Sequence, residues 1–393
     1  MNLSFNNTEI AFRMKSDSEL RRAYLLFRAI ASPTLVSAGS LLVNVALKTG
    51  LPMAWIIKPT VFRQFCGGTT LEECNDLIRR LAECKVHAIL DYSVEGKESE
   101  DDIRIAMEET MKAIRFAAGR NDIPFAVFKP TAFSRTCVLE KASTCDALTR
   151  EEASEATAFY NRINTLCQAA YDAGLPILID AEDSWYQKYI DEVVTEMMMQ
   201  YNRKQAIVFN TFQMYRVDRL DFLKELYEKA GKEQFKLGAK FVRGAYMEKE
   251  RARARRMGYP SPIHPDKEST DRDYNAALRF SVDHIDRISI FNGTHNEESS
   301  LFLARLMEER QIPRNNPGIW FSQLYGMSDH ISFNLASEGY NVAKYIPYGP
   351  VRHVTPYLIR RARENTSVAG QTGRELTLIS RERLRRKNLN HAN

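Results

Sequence analysis

Eight times along this 393-residue chain a short apolar run closes at a polar residue and gives way to a helical segment. The runs are Val86 to Leu90, closing at Asp91 to Glu95; Phe125 to Phe128, closing at Lys129; Pro176 to Ile179, closing at Asp180; and Ala206 to Phe209, leading to Gln213. Then come Lys240 to Val242, leading to Arg243-Gly244; Ile288 to Phe291, leading to Thr294-His295-Asn296; Gly318 to Phe321, closing at Gln323; and Val342 to Ile346, closing at a Pro-Tyr-Gly turn. Short continuous apolar runs are what strands buried on both faces look like, and eight of them alternating with helices is the count of a (β/α)8 barrel. That fold builds its site at the carboxyl ends of the strands, where each of these polar residues falls. A doubly wound sheet would alternate similarly, but no GxGxxG stands at a strand-to-helix turn, so a Rossmann nucleotide site is unsupported. The expected fold class is α/β, a TIM-type barrel with an N-terminal helical arm. Its expected divisions are an arm over residues 1–85, the barrel over 86–375 and a basic tail over 376–393.

Bulk properties narrow the function. A hydrophobic content of 44% and a charged content of 27% are those of a globular protein, and a dispersed net charge of +5 gives no nucleic-acid footprint. The one basic cluster, Arg381, Arg383, Arg385, Arg386 and Lys387, is expected to be a solvated tail, with anionic lipid as the other place for it. Six cysteines without a CxxC pair or metal-ligand spacing read as reduced thiols of a cytosolic-type compartment, with no metal site. The start, MNLSFNNTEIAF, lacks the pattern of a signal peptide. The uncharged run Ala29 to Leu47 nearly reaches membrane-spanning length, but Pro33, Gly39 and Asn44 dilute it, so a packed helical arm is expected.

Chemistry concentrates in two stretches. In KYIPYGPVRHVTPYLIRRAREN, residues Tyr357, Arg360, Arg361 and Glu364 fall at i, i+3, i+4 and i+7, one face of a helix expected to be enclosed. Two adjacent guanidiniums with a carboxylate to orient them form a clamp for a small carboxylate, against the alternative of a solvated charged face. In GAKFVRGAYMEKER, Lys240 and Arg243 flank Gly244-Ala245, where backbone is expected to approach something closely, such as a phosphorylated cofactor or an electron-rich ring. Lys129 follows an apolar run and is a candidate Schiff-base nucleophile or carboxylate partner, with a strand-end lysine reaching solvent as the plain alternative. Asp180 closes the most apolar run and needs a cation, Lys129 or an arginine. Gln213, His295 and Asn296 are hydrogen-bonding groups for a polar ring or phosphate. No HExxH, GxSxG or glycosidase-like carboxylate pair occurs.

Taken in order, FKPTAF, LIDAEDSW, FQMY, KFVRGAYMEKER, THNEES, QLYGM, KYIPYGPV and YLIRRAREN resemble the flavin-dependent proline dehydrogenase family over about residues 85 to 375. The resemblance implies a distorted (β/α)8 barrel binding FAD and oxidising L-proline to 1-pyrroline-5-carboxylate. It implies that Arg360, Arg361 and Lys129 hold the proline carboxylate, that Glu364 and Asp180 orient these cations, and that Tyr345, Tyr357 and Leu324 wall the pyrrolidine ring. Glu95 would close over the site by pairing with Arg360. For the flavin it points to Gln213, Lys240, Val242, Gly244, Ala245, Tyr246, Thr270, His295 and Asn296. Bacterial members often carry Arg first and Lys before the Gly-Ala of this motif; here Lys240 precedes Arg243, which leaves open which cation serves the reactive flavin nitrogen. The resemblance also implies a membrane quinone as acceptor and a cytoplasmic enzyme with peripheral contact at the inner membrane left open. The rival readings are a 4-hydroxyproline dehydrogenase, a Schiff-base aldolase using Lys129, and a peripheral-membrane binding protein on an inactive barrel.

Overall fold

The computed structural model describes residues 3–32, 34–37, 39, 57–93, 98–144, 146–367 and 371–392, with the backbone alone at 362–367, 371–372 and 390–392. Each apolar run forms a parallel strand: β1 His87–Tyr92, β2 Ala126–Phe128, β3 Ile177–Ile179, β4 Val208–Gln213, β5 Leu237–Val242, β6 Ile288–Gly293, β7 Ile319–Leu324 and β8 Val342–Tyr348. The sheet order is β1-β8-β7-β6-β5-β4-β3-β2, and helices separate the strands, as a (β/α)8 barrel requires. Six strands run further than the apolar pattern: β1 to Tyr92, β4 to Gln213, β6 to Gly293, β7 to Leu324, β8 to Tyr348, and β5 back to Leu237. The ladder is made by backbone groups, so a polar side chain at a strand end does not stop it. Tyr345 therefore lies inside the eighth strand.

Contacts group the chain into two compact units, one built on Gly96–Ser322 and the other on Asn2–Glu95 with Gln323–Asn393. In the first, Phe125 is the hub of an aromatic layer, its ring 5.5 Å from Phe209, 5.1 Å from Phe291 and 5.3 Å from Trp320, all near edge-to-face. Each such pair adds about 0.5–1.5 kcal/mol beyond its burial. Gly238 on β5 makes room for this layer, because a Cβ there would lie 2.6 Å from the Phe209 ring. The five described cysteines, Cys66, Cys74, Cys84, Cys137 and Cys167, form no disulfide.

In the second unit β1 pairs with β8, from His87 opposite Ala343 to Tyr92 opposite Tyr348. Helix Asp17–Ile30 opens with a capping box in which Ser16 and Glu19 exchange side-chain and backbone hydrogen bonds at 3.2 and 2.8 Å. It buries Leu20, Ala23, Phe27 and Ile30 in a cluster shared with Phe65, Tyr357, Leu358, Leu378 and Ile379. Much of the uncharged run Ala29 to Leu47 lies outside the described residues. Among the described residues, no helix is long and apolar enough to cross a membrane. The basic cluster differs from the expected solvated tail, since it lies in helix Gln371–Ala392. There Glu382, fully buried, accepts from the Thr8 hydroxyl at 2.9 Å and from Arg385 and Arg386. Arg386 also donates to the carbonyls of Phe12 and Lys15.

A buried ion network lies deeper in the same unit. Asp329 receives Lys15 at 3.0 Å and Lys344 at 2.9 Å. Burial pushes the Asp329 carboxyl up, but the two ammonium groups outweigh it and hold the group at about 2, below its ordinary 3.8. A carboxylate depressed in this way stabilises fully above its ordinary value, and that contribution is lost as pH falls through the folded one. The gap is worth about 2 kcal/mol between roughly pH 4 and pH 2. Glu375 nearby is raised by burial, so it is already largely protonated there and adds little to the slope. Acid unfolding between pH 4 and 2 is expected to be steeper for the parent than for Asp329→Asn; equal slopes would remove Asp329 from this role.

Candidate active site

Register brings one set of residues together. Ile179 pairs with Asn210, Thr211 with Lys240, and Lys240 with Phe291, so Asp180, Thr211, Lys240 and Phe291 form a row across β3 to β6. Lys240 Nζ lies 2.5 Å from Asp180 Oδ1 and 5.8 Å from the Phe291 ring centre. The sequence expectation gave Asp180 either Lys129 or an arginine; the cation bound at this distance is Lys240, two strands away. Asp180 N–H bonds the Phe128 carbonyl at 3.0 Å, which continues the row toward Lys129, itself half-buried. Glu182 was missed by sequence reasoning. It is buried, accepts from the Thr131 hydroxyl at 2.6 Å and the Thr131 N–H at 3.2 Å, and is raised by burial against the opposing pull of these bonds and of Lys129. The signal was the second acid in DAED.

Gln213 pairs with Val242, so alternation sets Gln213, Val242 and Lys240 on one face of the sheet. Gln213 is 2% exposed, and its Oε1 has no hydrogen-bond partner among the described residues. A buried acceptor without a donor costs about 1–3 kcal/mol. The N–H edge of a planar heteroaromatic ring supplies such a donor, and Lys240 a cation on the same face, so these residues fit a flavin.

Arg243 is placed otherwise. Its guanidinium bonds Asp271 at 2.8 Å, Thr294 Oγ1 at 2.7 Å and Ser299 Oγ at 2.9 Å, and stacks 4.4 Å over the Tyr274 ring. Burial opposes ionisation of Asp271, yet Lys267 and Arg243 hold its carboxyl below the ordinary range. Gly244 has φ of +119°, and a Cβ there would meet the Tyr215 ring at 2.5 Å; the close approach expected of it is to a side chain of this chain. Ala245 is exposed, and Tyr246 is half-buried with Lys249 5.9 Å from its ring. Thr270 donates its hydroxyl to Asp266 O at 3.2 Å, and Asn296 caps helix Glu297–Glu309 by accepting from Ser299 N–H at 2.8 Å. Both therefore have work within the fold. His295 is half-buried beside that cap.

The residues expected to form a carboxylate clamp belong to the other unit. Helix Val351–Ser367 carries Tyr357, 4% exposed, with the guanidinium carbons of Arg361 and Arg360 at 5.1 and 5.9 Å from its ring centre. The spacing thus gathers both arginines at one aromatic ring, and Arg361 is buried. The helix is not enclosed all round, as its apolar positions implied: Arg352 and Pro356 are exposed. Tyr345 is 7% exposed on β8, and Leu324, at the end of β7, packs on the cluster that contains Tyr357. The Glu364 side chain and all of Glu95 lie outside the described residues. Among those described, no group of His, Cys, Asp and Glu could hold a metal ion.

A parallel (β/α)8 fold with cations at strand ends and a buried amide oxygen that has no hydrogen-bond partner among the described residues defines a barrel enzyme whose site is suited to a planar cofactor. The family model described as proline dehydrogenase matches residues 74–374. A proline dehydrogenase 1 of Dictyostelium discoideum is 32% identical over 97% of this chain and 74% of its own length, and a hydroxyproline dehydrogenase of Xenopus laevis is 31% identical over 98% and 90%. Among solved structures, proline utilization A from Bdellovibrio bacteriovorus inactivated by N-propargylglycine superposes with a TM-score of 0.72 at 20% identity, over 92% of this chain. The chain spans 38% of that protein, and the likeness is one of fold. The chain belongs to the proline dehydrogenase family, and its enzyme class is that of an oxidoreductase acting on proline.

Proposed function

We propose that this protein oxidises L-proline to 1-pyrroline-5-carboxylate with bound FAD, passing the electrons to a membrane quinone from a peripheral position at the inner membrane. The observation that supports the reading is the placing of the Arg360 and Arg361 guanidiniums 5.9 and 5.1 Å from the centre of the buried Tyr357 ring, an arrangement that suits a bidentate clamp on a small carboxylate. In this reading the arginines bind the proline carboxylate with Lys129, and Glu364 orients them. Tyr345, Tyr357 and Leu324 wall the ring and exclude water, and Glu95 closes by pairing with Arg360. Gln213 would accept from the flavin ring N–H, while Lys240, fixed by Asp180, would face its reactive edge. Arg243, spent on Asp271, Thr294 and Ser299, braces the neighbouring strand ends instead.

When bound, the flavin supplies the two-electron acceptor. The residues then have to orient proline so that C5 loses hydride and the amine loses its proton, leaving the C=N bond. Positioning supplies most of the acceleration, and the free amine is the form that reacts. The purified protein is expected to be yellow and to bleach on adding proline without oxygen; a colourless protein that traps a carbonyl substrate with borohydride would transfer the reading to a Lys129 aldolase.

The hydroxyproline dehydrogenase relative makes specificity the second question. Tyr345 is the proposed wall against the 4-position of the ring, and a hydroxyl pressed on it meets a clash or loses its hydrogen bonds, about 1–3 kcal/mol either way. Proline is therefore expected to be preferred roughly tenfold to a few hundredfold in kcat/KM. Tyr345→Ser should shrink that ratio. Equal use of both substrates by the parent would remove Tyr345 as the wall.

A further inference from the structure

Lys344 is a lysine with no exposed surface, placed in a strand buried along its whole length. Its ammonium donates to three acceptors, from the end of β7 and the stretch that follows it: the Met327 carbonyl at 2.5 Å, the Leu324 carbonyl at 3.4 Å and Asp329 Oδ1 at 2.9 Å. All three ammonium donors are thus used on one short turn. The turn is fastened to β8 a second time, since Tyr325 N–H bonds the Tyr345 carbonyl at 2.8 Å. It is also strained: Ser328 has φ of +50°, a left-handed conformation that a residue with a side chain keeps only when its surroundings impose it.

We propose that Lys344 is a positioning residue, which sets the stance of Leu324 through the turn that its ammonium holds. This rests on the reading of Leu324 as a wall of the proline pocket. Strand alternation points Lys344 and Tyr345 to opposite faces, so Lys344 is not itself a wall. Its influence reaches the site through backbone, with Leu324 at one end of the held turn and Asp329 at the other. Asp329 is in turn fixed by Lys15 at 3.0 Å, which couples the turn to the chain just before helix Asp17–Ile30. A buried ion pair is a poor source of net stability compared with well-packed apolar residues, and its best-attested use is to specify one geometry. Here the geometry specified is that of the residue ending β7.

The test is a double-mutant cycle in the full-length holoenzyme, read by the dissociation constant of tetrahydro-2-furoic acid and by proline kinetics. Lys344→Met is expected to weaken acid binding roughly tenfold and to raise KM for proline in step, with kcat changed less than about twofold. In a Leu324→Ala background the same substitution should change binding less than about twofold, because the wall it positions is gone. Equal losses in the two backgrounds overturn the positioning role and leave Lys344 a general support of the fold. A Leu324→Ala protein that binds the acid as well as the parent overturns the wall assignment instead, and the proposal with it. Should Lys344→Met fail to fold, Lys344→Met/Asp329→Asn/Lys15→Met takes its place in the cycle and is judged by the same two comparisons, since it leaves neither a buried carboxylate nor a buried ammonium without its partner.

Discussion

Arg361→Met is expected to raise the KM for proline by about thirtyfold to several hundredfold while the flavin stays bound. Arg361 is buried with its guanidinium 5.1 Å from the Tyr357 ring centre, so it is held in one place before any ligand arrives. Losing one arm of a charge-assisted clamp costs on the order of 2 to 4 kcal/mol, which is the energy behind that range. Methionine keeps most of the apolar stem, so packing on Tyr357 survives and the loss reports the charge. Titration of the mutant with tetrahydro-2-furoic acid checks the assignment without turnover. Unchanged affinity would sink the clamp, whatever happened to the rate.

The second large effect is expected at Asp180. Its carboxylate sits 2.5 Å from Lys240, which is 5% exposed, and Asp180→Ala would leave that ammonium buried without its carboxylate. Breaking a buried pair from one side typically costs about 3–5 kcal/mol, so a steep fall in melting temperature should accompany the loss of activity. Asp180→Ala/Lys240→Met separates the two roles. With both charges gone the melting temperature should recover most of the way, because no uncompensated charge remains, whereas activity should not, because the cation proposed for the flavin edge is missing. Recovery of both would make the pair a structural one.

Much of the fold was legible because a parallel barrel writes its strands as apolar runs, and all eight are found where those runs stand. Strand ends were less legible: Gln213, Leu324 and Tyr348 belong to strands through backbone bonding that side-chain hydropathy does not encode. The helix spacing was enough to gather Arg360 and Arg361 on Tyr357, since i, i+3 and i+4 is local geometry. Pairing across strands was not local. That Asp180 meets Lys240 depends on the register of three strands, and nothing within LIDAED states it. Asn296, a candidate ligand group, also opens N-E-E-S, a helix start, and its side-chain oxygen caps that helix. Lys344 drew no attention within an otherwise apolar strand. Its three acceptors come from a turn that only the fold brings beside it.

The pairing of β1 with β8 carries a consequence for how the chain is made. Residues 11–30 and 57–66 bring Phe12, Phe27, Phe62 and Phe65 to a cluster completed by Met327, Val354, Tyr357, Leu358, Leu378 and Ile379, which leave the ribosome only after β1 to β7 have been made. Throughout synthesis of everything between, those aromatic side chains have no finished core to enter, and β1 has no β8 to pair with. Long-range closure of this kind is slow, and an apolar segment kept waiting is one that aggregates or recruits a chaperone. Expression yield should therefore depend more on helper capacity and growth temperature than the stability of the finished enzyme would suggest.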